Sequence, residues 1–236
     1  MSTNASISII KKDGTVDMAY CHHDGYLIEG VGEVLLNHYK DAESIKELIR
    51  GGAMRGLGET IQSTDFYGVG DNCHSFNNIF EYHEARKQEY DYLFDEKAGS
   101  WSFSKEYSGS YKPLTQEAIN NDREKVVYNF IKERDNHPND VQWRKGVIEN
   151  HIIKGADFEN VKKMIKPHDL SKQVSPFAQD KFDYAQTVAD KVKLNHKIQD
   201  NLDKKPISMA KQLSNDIQSS TYDYGTKATK SANTKI

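Results

Sequence analysis

The sequence predicts an α+β protein: an antiparallel sheet with short helices in the amino-terminal half, a helical carboxy-terminal half, and a polar tail. Three observations carry this. Two-residue alternation of apolar and polar positions, punctuated by glycine turns, is confined to segments before Lys105. Apolar residues at three- and four-residue spacing take over after Pro113. Beyond Pro206 the chain turns to Ser, Thr, Asn, Gln and Lys. The expected divisions are an α+β domain with antiparallel hairpins over 1–114, a helical region over 115–205 and a flexible polar tail over 206–236.

Taken in order, Ala5 to Lys11 is an extended stretch carrying Ile7, Ile9 and Ile10, and Val16 to His22 resumes it after Lys12-Asp13-Gly14-Thr15. The Asp-Gly step marks a hairpin, because glycine adopts positive φ at little cost. Gly25, Gly30 and Gly32 then break the strand, and Val31, Val34, Leu35 and His38 recur at helical spacing. Asp41 is an N-cap for a second helix, whose Ile45, Leu48 and Ile49 face inward until Gly51-Gly52 stops it. From 51 to 78 no period emerges, and Gly51, Gly52, Gly56, Gly58, Gly68 and Gly70 mark a long irregular connection of the kind that often carries function.

Ile79 to Glu84 reads as a strand. Tyr90, Tyr92 and Phe94 share one face of the next, opposite Asp91, Leu93 and Asp95, and Trp101 and Phe103 alternate with Ser100, Ser102 and Ser104 after a turn. This hairpin's aromatic stripe reads as core before it reads as a platform for bases or sugars. Thr115 caps a helix running to about Arg134, with Ile119, Val126, Val127, Phe130 and Ile131 as its buried stripe. Helices over Val141 to Lys154 and Phe158 to Ile165 follow, then a linker framed by Pro167 and Pro176, and a last helix with Phe182, Ala185, Val188, Ala189, Val192, Ile198 and Leu202 on its apolar side.

Composition narrows the function classes. Hydrophobic residues are 36% and charged residues 28%, with 13 tyrosines and 9 phenylalanines, so an aromatic-rich core sits beneath a polar surface. No run approaches the roughly 18 apolar residues of a membrane span, and no leader pattern opens the chain, so the expected location is the cytoplasm, with no membrane partner. Cys21 and Cys73 are expected to be reduced there. The formal net charge is −3, yet from Lys204 onward six lysines against two aspartates give +4, leaving −7 on the rest. An acidic body argues against a chain devoted to nucleic-acid backbone and leaves only the basic tail to touch it weakly.

The most distinctive stretch is Cys21-His22-His23-Asp24-Gly25-Tyr26, followed by Glu29-Gly30-Val31-Gly32 and a helix with Leu35-Leu36 and His38-Tyr39. Three chemistries are open to it. A glycine turn entering a helix, with Gly25, Gly30 and Gly32, can present N–H groups to an anionic ligand, although only a fragment of a dinucleotide fingerprint is present. Cys21 and His23, with Cys73 or His74, can supply zinc ligands, although no paired-cysteine motif accompanies them; no other cofactor is expected. His22, His23, Asp24 and Tyr26, with Cys73, His74 and His83, can supply acid–base or nucleophilic groups, as can the hydroxyl of Ser2 beside a freed amine. Against each stands a plain alternative: a tight turn, buried cysteines and half-exposed histidines.

These elements resemble a widespread group of bacteriophage and prophage proteins with a Cys-His-x-Asp-Gly-Tyr element, a Gly-Val-Gly element and a Leu-Leu-x-His-Tyr helix. The likeness covers about residues 1–60, with a weaker echo around Asp95 and Trp101. It departs at His23, where the group has Trp, and at Leu27-Ile28, where it has Pro after the tyrosine. The resemblance implies a mobile-element accessory protein acting by protein binding, as a host-takeover, anti-defence or minor virion component, in host cytoplasm or virion, with a host or phage protein as partner. The competing expectation is a small hydrolase or transferase built on His22, His23, Asp24 and Cys73.

Overall fold

A computed structural model describes residues 3–68, 73–85, 88–105, 107–133, 135, 137–165 and 176–203. The chain divides into two compact units, Met1–Gln186 and Thr187–Ile236. Strands occupy the amino-terminal half and helices the carboxy-terminal half, so the α+β expectation holds. The expected tail over 206–236, residues 167–175 of the expected linker and Ser2 lie outside the described residues.

One eight-stranded sheet organises the first unit. Its strands are β1 (Ala5–Ile10), β2 (Val16–Cys21), β3 (Met54–Gly56), β4 (Asp65–Phe66), β5 (Cys73–Phe76), β6 (Tyr90–Asp95), β7 (Ser100–Lys105) and β8 (Lys112–Pro113). The order is β4-β3-β2-β1-β6-β7-β8, with β5 also pairing on β2. The two expected hairpins are present, β1 with β2 and β6 with β7. The sheet is mixed where an antiparallel one was expected: β1 pairs with β6, and β2 with β3, in parallel. The stretch from 51 to 78, expected to be irregular, supplies β3, β4 and β5. These strands are two to four residues long, too short for a two-residue period to show against six glycines.

Register decides the two faces. Ile7 stands beside Ala19 and Tyr92, and Ile9 beside Phe94, so an apolar row crosses the sheet to Phe103 and Trp101. Helices α1 (Val31–His38) and α2 (Ala42–Arg50) cover this face through Val31, Leu35, Ile45, Leu48 and Ile49. Asp41 caps α2 as expected, accepting from the Ser44 N–H at 2.9 Å. His38, which shares the helical spacing of Val31, Val34 and Leu35, is exposed.

The other face carries Val16, Met18 and Leu93 beside Ser6, Ser8 and Asp91. Helix α3 (Ile79–Ala85) lies over it, where a strand was expected. The reason is local: the Asn78 side chain accepts from the N–H groups of Phe80 and Glu81, both at 3.0 Å, and Ile79 and Tyr82, three apart, reach the sheet together. The Asp91 carboxylate is buried but accepts from Ser6 Oγ at 2.8 Å and from the Tyr82 and Tyr111 hydroxyls, which offsets its desolvation.

Helices α4 (Gln116–Lys132), α5 (Pro138–Ile153), α6 (Phe158–Met164) and α7 (Pro176–Asp203) follow. Thr115 caps α4 as expected, and Ile119, Val127 and Ile131 form its buried row. A buried ionic cluster ties α4, α5 and the start of α7: Lys181 meets Asp135 at 2.8 Å and the Glu133 carbonyl at 2.7 Å, while Arg144 meets Asp135 at 2.9 Å. In the second unit the remainder of α7 carries exposed Leu194, Ile198 and Leu202. No helix among the described residues is long and apolar enough to cross a membrane.

Candidate functional site

The segment between β2 and α1 is assembled from close backbone contacts. β2–β3 pairing continues past the strand ends, with the His22 N–H donating to the Met54 carbonyl at 2.9 Å and the His23 N–H to the Arg55 carbonyl at 2.8 Å. The chain then bends back at Asp24 (φ +56°) and Glu29 (φ +54°), both left-handed. Such backbone in residues other than glycine costs on the order of 1–3 kcal/mol and is held only by its surroundings. The glycines have a different task. A Cβ on Gly30 would lie 2.2 Å from the Asp24 carbonyl oxygen, and one on Gly25 would lie 2.7 Å from the Asn4 backbone. Gly25 is required for close approach within the turn, and the positive φ belongs to Asp24.

This packing opens a cleft of about 570 Å³ along α1, with His23, Asp24, Glu29 and Gly30 on one wall, Glu33, Asn37 and His38 on the helix, Glu59 on the segment after β3, and Arg123 and Lys154 opposite. Four carboxylates face two cations, and both cations are committed. Arg123, 4% exposed, pairs with Glu33 and donates to Asn120 Oδ1 at 3.1 Å. Lys154 and Asn150 donate to Glu29 Oε1 at 2.8 and 2.7 Å, and the Glu29 N–H donates to Glu33 Oε2 at 2.7 Å. The Lys154 hydrogen bond holds the Glu29 carboxyl below its ordinary range. Asp24 and Glu59 stand exposed at the rim, the latter 4.0 Å from His38 Nε2.

Two buried side-chain atoms, Nε of Arg123 in the cleft lining and Nδ1 of His151 on α5 behind it, have no hydrogen-bond partner within the chain. Burial pushes the His151 imidazole down, so it stays neutral beside Glu29, Arg123 and Lys154.

No family model, curated protein or solved structure matches the chain.

Of the residues singled out from the sequence, His23, Asp24 and Gly30 meet in the cleft. Gly32 lies beneath it, and the Val31 and Gly32 N–H groups are already donated to the Asp24 and Tyr26 carbonyls. His22 turns to the Tyr20 hydroxyl, 2.8 Å from Nδ1, and Tyr26 packs edge-on against Tyr90. Cys21 is fully buried, with its thiol against the His23 carbonyl at 3.4 Å and its pKa pushed up to about 12 by burial. Cys73 stands opposite Ala19 and His74 opposite Met18, so these neighbours point to opposite faces of the sheet. Both cysteines are free, and among the described residues no three His, Cys, Asp or Glu side chains are grouped to hold a metal ion. Glu33, Glu59, Arg123, Lys154 and His151 were missed. Only Arg123 had a signal, as a cation on the apolar row Ile119, Val127, Ile131.

Proposed function

We propose that this is a phage or mobile-element accessory protein that acts by binding another protein, and that the acidic cleft along α1 receives a basic side chain of that partner. The observation that carries the reading is the charge of the cleft: four carboxylates, two of them at the open rim, against two cations already paired within the chain. A lysine or arginine entering it exchanges hydration for carboxylates held in place beforehand. The likeness of the Cys21–Tyr39 elements to phage and prophage proteins supports a mobile-element origin, and host cytoplasm or virion as the setting. Exposed Tyr26, Tyr67 and Trp143 add aromatic surface suited to an interface.

The test is capture of a partner from host or infected-cell extract, followed by affinity measurement with Asp24→Asn/Glu59→Gln. We expect binding at least about tenfold weaker and less salt-sensitive, with stability unchanged, because both side chains are exposed. An undiminished affinity overturns the cleft as the contact.

A second reading rests on His23 and Asp24 lining the same cleft as His38 and Glu59, an arrangement able to move protons. A folded His23→Ala variant that loses biological function while keeping partner affinity favours this hydrolase or transferase reading.

A further inference from the structure

A second cavity, of about 340 Å³, lies between the β7–β8 edge and α4 and shares no lining residue with the cleft. Its volume falls within the range of small-molecule sites, about 300–1,000 Å³. Leu27, Phe103 and Ala118 give it an apolar floor. Lys105, Lys112 and Lys125 stand around that floor, and Lys105 and Lys125 both reach the same Asp122 oxygen at 3.2 Å. Among the described lining residues, one carboxylate therefore faces three ammonium groups. Lys112 is exposed, with its head free to turn inward.

Ser108 and Ser110 add hydroxyl-bearing residues to the lining, and Ser108 Oγ lies 3.2 Å from the hydroxyl of Ser104, which alternates with Phe103 along β7. The Ser108–Ser110 loop reaches this position through a left-handed Tyr107 (φ +57°), a conformation that a bulky residue holds only where its surroundings enforce it.

We propose that this pocket binds a phosphate or carboxylate group carried on a small apolar body, the anion meeting the lysines and serine hydroxyls while the body covers Leu27, Phe103 and Ala118. The inference is independent of the cleft and of its partner.

The experiment is an amide-resolved NMR titration of the full-length chain with phenyl phosphate, benzoate and inorganic phosphate. We expect phenyl phosphate to shift Ser104, Ser108 and Ala118 and to bind about 10- to 100-fold more tightly than inorganic phosphate, because only the former buries a ring. Benzoate tighter than phenyl phosphate identifies a carboxylate site, and the reverse order a phosphate site; either supports the proposal. Lys112→Glu should weaken binding at least about tenfold, higher salt should weaken it further, and Asp24→Asn in the cleft should leave it unchanged. Absence of saturable shifts with all three probes at millimolar concentration overturns the proposal. So does an unchanged affinity in Lys112→Glu, or inorganic phosphate binding as tightly as phenyl phosphate.

Discussion

Gly30 shows how a single missing side chain shapes the cleft wall. Because an alanine Cβ there would overlap the Asp24 carbonyl at 2.2 Å, Gly30→Ala must displace the left-handed Asp24 turn. A loss of about 1–3 kcal/mol is expected by urea unfolding, whereas Gly56→Ala, with open space around its Cβ, should cost little. Equal losses at both sites would contradict the packing account. Thiol reactivity tests the neighbouring strand. Cys21 is buried with its pKa raised to about 12, and Cys73 is only half-buried, so a thiol reagent at pH 8 should modify Cys73 first and reach Cys21 only on unfolding. Protection of both in the native protein would instead indicate that something holds them. The glycine-rich stretch was conspicuous in the sequence because its residue types are unusual. Its cationic wall was not, since Lys154 comes from 125 residues away from Glu29 and carries no local mark.

Among the elements, those with a strong period were legible: the β1–β2 and β6–β7 hairpins, α2 with its Asp41 cap, and α4 with its Thr115 cap. α3 was not, because Ile79, Phe80 and Tyr82 favour strand locally and only Asn78 and the sheet beneath decide otherwise. The junction of α4, α5 and α7 depends on buried, paired charges. Lys181 is 0% exposed, so Lys181→Ala leaves Asp135 with Arg144 alone and should cost about 3 kcal/mol. A Lys181→Met/Asp135→Leu double variant should cost less than Lys181→Ala; a larger loss would show that the ion pair itself, and not the orphaned charge, carries the stability. The joint of α1 with α4 and α5 should respond to acid. The Glu29 pKa is lowered on folding, so its contribution is present above the unfolded carboxylate range and lost as pH falls through the folded value. The His151 pKa is also lowered, so the unfolded chain takes up its proton first and stability falls as pH drops below about 6.5. His151→Gln should flatten the stability curve between pH 7 and 5, and an unaltered slope would place that loss elsewhere.

At the scale of the molecule, the alternation of strand and helix patterns was enough for the α+β class, but not for which strands pair. Parallel pairing of β1 with β6 depends on long-range closure that no local motif records. The expected boundary after residue 114 falls inside the compact unit Met1–Gln186, where Ile119 completes the sheet's apolar cover and Arg123 meets Glu33. A 1–114 fragment should therefore unfold at a clearly lower urea concentration than the whole chain, as read by tyrosine and tryptophan fluorescence; coincident transitions would mean that the strand-rich part stands alone. The central position of β1 also bears on biosynthesis. Ala5 waits for Tyr90, 85 residues downstream, and at about 5–20 residues per second that interval is about 4–17 s. During it the ribosome holds a nascent hairpin whose isoleucine-bearing strand has one bare edge, a template for pairing with any extended chain nearby. Soluble yield is thus set by a race between elongation and capture. Faster translation through codons 11 to 89, or a circular permutant in which β6 and β7 emerge before β1, should raise it.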